Sequence, residues 1–392
     1  MTRTQYIEET KKMRFIEAFS GWQSRELTQE EACLLLGVCA RTFRRYVGRY
    51  NEEGMDGLAD KRLSQASHRR APVDEVIGLQ DLYRQRYGGW NVKHFYSFYR
   101  SRHQGSRSYT WVKNKLQSAN LVSKSPGRGK HRKRRERAPM PGIMLHQDAS
   151  THQWIPGVSW DLVVTMDDAT GEHYSMFFVD EEGTASSMLG VKQTIAKQGL
   201  FCSLYTDRGS HYWHTPEAGG KVDKTNLTQF GRAMRQLKIQ MIAAYSPEAR
   251  GRSERAFSTH QGRLPKELEL EAITDMKAAN KYLKEVYMPA FNKEFMSQAA
   301  EEGSCFVPYV GDNIDHVLCE HHERTVTKDN CVSFEGLVLQ IPSDRYRMHY
   351  VKSKVQVHRY LNGQLAVFHG PRKLAEYDAQ GNSVEPSQTC AA

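Results

Sequence analysis

Three acidic residues stand at positions from which they could converge. Asp148 ends an extended apolar run in HQDAS. Asp207 ends another in YTDRGS. Glu254 opens an amphipathic stretch in SPEARGRSERAF. Two strand ends and one helix start can meet at a single sheet edge, although 59 and then 47 residues separate the three in sequence. Carboxylates brought that close repel one another unless cations hold them. Hard oxygen donors of this kind suit Mg²⁺ or Mn²⁺. A pair of such ions can clamp the attacking and the leaving oxygen of an in-line phosphodiester displacement. The chemistry expected of Asp148, Asp207 and Glu254 is therefore metal-dependent phosphoryl transfer, with two divalent ions per site.

Other groups in the chain invite chemistry and read as structural. Asp167 and Asp168 sit in DDATG, which has the composition of a hairpin turn. Glu181 and Glu182 start a helix, where acids meet the dipole favourably. His146, His152 and His211 flank the acidic motifs singly and read as packed or solvated. Cys319, His321 and His322 in LCEHHER suggest a metal site, but no matching pair of ligands occurs elsewhere, so none is expected there. Arg208, Arg252 and Arg255 lie beside the carboxylates and could either hold DNA phosphates or form salt bridges within the domain.

Taken together, HQDAS, YTDRGS and SPEARGRSERAF resemble the three-carboxylate (DDE) signature of the retroviral-integrase catalytic core, and the whole layout resembles a bacterial insertion-sequence transposase of the ISNCY grouping. The resemblance covers most of the chain and implies an RNase H-like fold. It implies metal and catalytic roles for Asp148, Asp207 and Glu254. It also implies hydrolysis at transposon ends followed by strand transfer, with no nucleotide cofactor, and a dimer or larger assembly on double-stranded DNA. The interval from Asp207 to Glu254 is longer than in retroviral integrases. His211–Thr225 reads as the inserted loop, and Glu248 is an alternative third ligand. A nuclease or resolvase on the same core, and a DNA-binding regulator with an inactive core, are the competing functions.

The elements needed to hold such a site are legible around it. Ile143–Asp148, Trp160–Met166 and His173–Val179 read as three successive antiparallel strands. A helix near 184–198 leads to a strand at Phe201–Thr206. Another helix near 225–237 leads to a strand at Ile239–Ala243, and a last helix begins near Gly251. This order predicts a mixed α/β layer over 141–300, with helices continuing to the end of that span.

The charge is distributed unevenly. Residues 1–140 carry 29 Lys and Arg against 14 Asp and Glu, whereas the remainder carries 26 against 31, so the net +10 comes from the front of the chain. That asymmetry points to a nucleic-acid-binding front. Residues 1–62 read as a helix-turn-helix. Tyr6, Met13, Ile16 and Phe19 form the apolar side of a first helix. The second helix starts with a Thr28/Glu31 capping box, has Ala32, Leu35 and Leu36 as its apolar face, and stops at Gly37. The third carries Arg41, Arg44, Arg45 and Arg49 opposite an aromatic face and would enter the major groove. Residues 70–123 read as a second helix-turn-helix or winged-helix-like module, with Lys113 and Lys115 outside and its aromatics inside. The linker at 124–140 contains eight Lys and Arg against one Glu over 124–137. It includes Lys130, Arg132, Lys133, Arg134 and Arg135, and so dense a run should order only on a polyanion.

Short strands from Thr325 onward predict a small β-barrel over 320–378, similar to the barrel that follows the core in Mu-like transposases. Residues 379–392 read as a disordered tail. The fold class is thus multidomain: all-α helix-turn-helix modules, an α/β core and a C-terminal β-barrel. No stretch is apolar enough for a membrane span or a secretory signal. Seven cysteines without a CxxC pair argue against disulfides and against a structural zinc site, and the bacterial cytoplasm and its nucleoid are the expected location.

Overall fold

The computed structural model describes residues 3–60, 70–124, 136–217, 220–245, 251–343 and 347–384. The chain divides into two compact units, Met1–Arg84 and Gln85–Ala392.

The first unit contains α1 (Arg3–Gln23), α2 (Gln29–Leu36) and α3 (Ala40–Glu53), and the boundary falls inside α4 (Val73–Arg86). The capping box forms as the sequence predicts: the Glu31 amide donates to Thr28 Oγ1, and the Thr28 amide donates to the Glu31 carboxylate at 2.8 Å. Gly37 ends α2 at φ +62°, a left-handed conformation that glycine adopts without strain. The apolar stripe of α1 differs from the predicted one. Phe15, Ala18 and Phe19 are buried with Ala32, Cys33 and Phe43, while Tyr6 and Met13 lie in solvent. On α2, Cys33 packs inward and Leu35 is exposed. Interlocking aromatics decide both outcomes, because Phe15 and Phe19 engage Phe43, Tyr46 and Tyr50 of α3 and fix the rotation of the helices.

The second unit starts with α5 (Val92–Arg102) and α6 (Tyr109–Ser118). Their aromatics are core, as predicted: Tyr87, Trp90, Phe95 and Phe98 interlock. These helices are not a free-standing module. They dock on the core through His94–Glu267 at 2.7 Å, Ser97–Glu294 at 3.0 Å and Arg102–Glu271 at 2.5 Å.

The core sheet has the order β3-β2-β1-β4-β5. Strands β1 (Met144–Ile155), β2 (Val158–Asp167) and β3 (His173–Val179) are antiparallel. Strands β4 (Ser203–Thr206) and β5 (Gln240–Ala243) run parallel to β1. Helices α7 (Thr184–Gln198) and α8 (Gln229–Gln236) bury Leu145, Val191, Leu204 and Phe230 with one face. Helices α9 (Gly251–Leu270), α10 (Met276–Tyr282) and α11 (Met288–Phe295), with a π-helical turn at Leu283–Tyr287, bury Trp154, Leu162, Phe178 and Leu264 with the other. The predicted mixed α/β layer is thus present, strand for strand.

At the C-terminal end, β6 (Glu320–Thr325), β9 (Lys354–Arg359), β10 (Leu365–His369) and β11 (Arg372–Tyr377) form a four-stranded antiparallel sheet, and β7 (Cys331–Phe334) and β8 (Leu337–Gln340) form a separate hairpin. Both share one core around Val332, Val357 and Val367. No closed barrel forms among the described strands. The hairpin does not extend either edge of that sheet, so the predicted closed barrel is not found among the described strands, and a four-stranded sheet and a hairpin on one shared core stand in its place. Part of the predicted tail is also ordered. Residues 379–384 fold back, with the Val384 amide donating to the Glu376 carbonyl at 2.8 Å. Residues 385–392 lie outside the described residues. Among the described residues no helix is long and apolar enough to cross a membrane.

Candidate active site

Side-chain alternation along β1 decides what Asp148 faces. Leu145 belongs to the cluster under α7 and α8, and Gln147 reaches Ser187 of α7, its Nε2 donating to that carbonyl at 3.0 Å. His146, Asp148 and Ser150 therefore point to the opposite face. There α9 lies across β1, with Gln261 Nε2 donating to Ser150 Oγ at 2.9 Å. On β4, Leu204 pairs with Leu145 and Tyr205 with His146. Strand β4 ends at Thr206, so Asp207 directly follows the strand that runs beside the start of β1.

A buried tyrosine reports the charge that accumulates there. The Tyr212 hydroxyl donates to Gln147 Oε1 at 3.2 Å and accepts from Ser187 Oγ at 3.1 Å. Burial first, then the negative charges of Glu182, Asp148 and Asp207, push its phenol well above the usual range. A cation at the two aspartates would relieve that repulsion.

The surrounding motif residues have local reasons. Asp207 Oδ1 accepts from the Gly209 amide at 2.9 Å. A Cβ at Gly209 would press on the same Oδ1 at 3.0 Å and on the His211 ring at 2.9 Å, so the glycine of TDRGS keeps the carboxylate seated. Gly190 of α7 faces the Gln147 amide, which a Cβ would meet at 2.4 Å. That close approach lets the polar support behind β1 stay buried.

Glu254 occupies the first turn of α9, seven residues before Gln261 and so on the same helical side, the side that reaches β1. It is exposed. The three carboxylates are not drawn into one tight cluster: among the described residues, the group of three potential ligands lying within 4.8 Å of one another is elsewhere, at Cys319, His321 and His358. Glu248 lies outside the described residues.

Asp167 and Asp168 are structural, as the turn composition predicts, and more deeply built in than a turn requires. Both carboxylates are fully buried. Asp167 accepts from the Thr170 and Gly142 amides, each at 2.9 Å. Asp168 accepts from His146 Nε2 at 2.7 Å, from the Ala138 amide at 2.7 Å and from the Arg252 guanidinium. Arg252 therefore ties the start of α9 to the floor of the sheet, and of its two readings the structure shows the salt bridge within the domain. Arg208 donates to the Gly220 carbonyl at 2.9 Å and stacks over Tyr245. Arg255 is exposed. In the first unit, Arg41, Arg44, Arg45 and Arg49 are all exposed along one helix, while Phe43 is buried behind them. Lys113 and Lys115 are half-buried on α6. Lys130, Arg132, Lys133, Arg134 and Arg135 lie outside the described residues.

The chain is similar to known proteins along most of its length. Residues 20–75 match a winged helix-turn-helix family. The chain is 27% identical over 363 residues to the Sinorhizobium fredii protein named as transposase y4bF, spanning 90% of this chain and 77% of that one. It is 25% identical over 396 residues to the transposase for insertion sequence IS1202 of Streptococcus pneumoniae, spanning 92% and 84%. Among solved structures, a chain of a simian T-cell lymphotropic virus intasome complexed with a regulatory subunit of PP2A aligns at 15% identity over 76% of this chain and all of that one, with a TM-score of 0.35. The chain is thus similar along nine-tenths of its sequence to two proteins named as transposases, and its front carries a winged helix-turn-helix match.

Proposed function

We propose that this chain moves an insertion sequence by cleaving DNA at the element's ends and joining the freed 3′ ends to target DNA. The observation that carries the reading is the placement of Asp148 on β1 and of Asp207 just past the end of the neighbouring parallel strand β4, with Glu254 in the first turn of α9, the helix that reaches β1 through Gln261. The site fits a hard divalent cation, since its donors are carboxylate oxygens and their charge already weighs on the Tyr212 phenol. Asp148 and Asp207 would hold Mg²⁺ or Mn²⁺, two ions in all, with Glu254 completing the set. Bound there, the ions supply Lewis-acid activation of the attacking oxygen, first water and then a 3′-OH, and neutralise the leaving oxygen.

The protein's own groups do the positioning. Gly209 and the polar cluster of Gln147, Ser187 and Tyr212 fix the two aspartates. Arg252, pinned by Asp168, sets the start of α9 and hence the approach of Glu254. Arg41, Arg44, Arg45 and Arg49 present a row of cations to the major groove of the terminal inverted repeats. Lys113 and Lys115, the arginines and lysines of the 124–137 linker, Arg208 and Arg255 add phosphate contacts. Two ends must be held for joining, so the working form is a dimer or larger assembly on DNA, acting on the bacterial nucleoid.

The test is incubation of the protein with a labelled transposon-end duplex, a target plasmid and Mg²⁺ or Mn²⁺. Strand-transfer products should form with the wild type. They should disappear with Asp148→Asn, Asp207→Asn and Glu254→Gln while end binding persists. Cleavage without joining would identify a nuclease or resolvase. Binding without either step in the wild type would identify a regulator.

A further inference from the structure

The LCEHHER segment has no ligand partner nearby in sequence, yet the fold supplies one. Cys319 immediately precedes β6 and His321 is its second residue. His358 of β9 stands directly opposite His321 in the antiparallel register. The two imidazoles stack with centroids 3.8 Å apart and planes 9° apart. One potential ligand atom from each of Cys319, His321 and His358 lies within 4.8 Å of the other two. His358 is 4% exposed, and neither of its ring nitrogens has a hydrogen-bond partner. A buried imidazole with both nitrogens unsatisfied is costly, and coordination would satisfy it.

We propose that Cys319, His321 and His358 form a metal site for a zinc-type ion, separate from the carboxylate site of the core. One thiolate and two imidazoles are the donor set that borderline-soft ions prefer and that Mg²⁺ does not. Around zinc, donors lie roughly 3.3–3.7 Å apart and the ion lies in the plane of each ring it bonds, so the three need to draw in by about 1 Å and one of the stacked imidazoles to turn about its side-chain bonds. The outer shell is already in place. The His316 carbonyl lies 2.9 Å from His321 Nε2 and accepts its proton, which leaves Nδ1 for a metal. Gln229 of α8 brackets the His321 backbone, donating to its carbonyl at 2.8 Å and accepting from its amide at 2.9 Å. Arg232 of α8 donates to the Cys319 carbonyl at 2.5 Å, tying the Cys319 backbone to the core. The ion would therefore sit where the C-terminal sheet meets α8 of the α/β core, as a weld between the two. The fourth position is left to solvent. His322 has the opposite parity on β6 and bonds Glu320 at 3.2 Å, so it is not a ligand.

The experiment is metal analysis of the full-length protein after dialysis against Mg²⁺-containing buffer, followed by Co²⁺ titration of the metal-stripped chain. Zinc should remain at about one ion per chain. Co²⁺ should give a near-ultraviolet thiolate charge-transfer band at the same stoichiometry. Both signals should be lost in Cys319→Ser, and zinc should be lost in His358→Gln. Both should survive in His322→Gln and in Asp148→Asn, which separates this site from the carboxylate site. Wild-type protein that retains no zinc and gives no charge-transfer band overturns the proposal, a result that does not depend on any variant folding. Zinc retained at full stoichiometry in Cys319→Ser or His358→Gln overturns it as well.

Discussion

Asp168→Asn should unfold the core more easily while leaving the DNA-reading unit untouched. The buried carboxylate accepts from three donors at once: His146 Nε2, the Ala138 amide and the Arg252 guanidinium. An asparagine keeps one acceptor oxygen and turns an NH₂ toward one of those donors, so at least one bond becomes a donor facing a donor. Removing one partner of a buried ion pair costs about 3–5 kcal/mol. The Arg252 side chain keeps 19% of its exposure and can recover some hydration, which favours the lower end, about 3 kcal/mol. At about 2–4 °C per kcal/mol, the Tm of the core transition should fall by roughly 6–12 °C. Calorimetry with and without a chelator would measure it, and the drop should be the same in both, because no metal is involved. Filter binding to an end duplex should change little, because Arg41, Arg44, Arg45 and Arg49 sit in the other unit. A Tm within about 2 °C of wild type would refute the reasoning, since the triple acceptance would then contribute less than about 1 kcal/mol.

Asp207→Asn should behave in the opposite way: its Oδ1 can still accept from Gly209, and one of the two aspartate charges that bear on Tyr212 is gone. In chelator, differential scanning fluorimetry should find it as stable as wild type or more so by up to about 1 kcal/mol, and the gain in Tm that Mg²⁺ gives the wild type should vanish. Arg44→Ala and Arg45→Ala remove exposed cations, so the Tm should hold while end binding weakens and the slope of log K against log salt shallows by about 1 for every phosphate left without its arginine. Burial holds His173 near 4 and His260 well below its ordinary range. The unfolded chain takes these protons near pH 6.5, whereas the fold keeps His173 neutral until about 4 and His260 neutral too, so stability is full above about 6.5 and drains as pH falls toward 4. For His173 alone the decline reaches about 3 kcal/mol. Denaturant titrations from pH 7 to 4 would check this, and His173→Gln should flatten the decline.

The elements that position the site are legible because the core alternates cleanly between apolar strands and amphipathic helices. Strands β1–β5 and helix α7 fall where periodicity places them, and Thr28/Glu31 caps α2 as its spacing requires. Legibility fails where the deciding interaction is distant. His94–Glu267 and Ser97–Glu294 fasten α5 to the core across 173 and 197 residues, so residues 70–123 read in sequence as an independent module. Strand β6, Glu320–Thr325, is almost wholly polar and hides its alternation, which conceals that His321 faces His358. A search for one more histidine on a later apolar strand, with no demand for a paired motif, would find it. Arg252 reads equally as a phosphate ligand or a salt bridge. Only the burial of Asp168, invisible in a sequence whose DDATG looks like any exposed turn, decides between them.

The most direct test of the central claim maps the metal itself. With Fe²⁺ in place of Mg²⁺ and ascorbate present, hydroxyl radicals cut the backbone within a few ångströms of the bound ion. The account predicts cuts in β1 around Asp148 and just after β4 around Asp207, with a third set at Glu254 in the first turn of α9. Asp148→Asn and Asp207→Asn should abolish all three, and excess Mg²⁺ should suppress them. Cuts near residue 248 in place of 254 would reassign the third ligand alone. Cuts that avoid both Asp148 and Asp207, or that persist unchanged in their asparagine variants, would contradict the account.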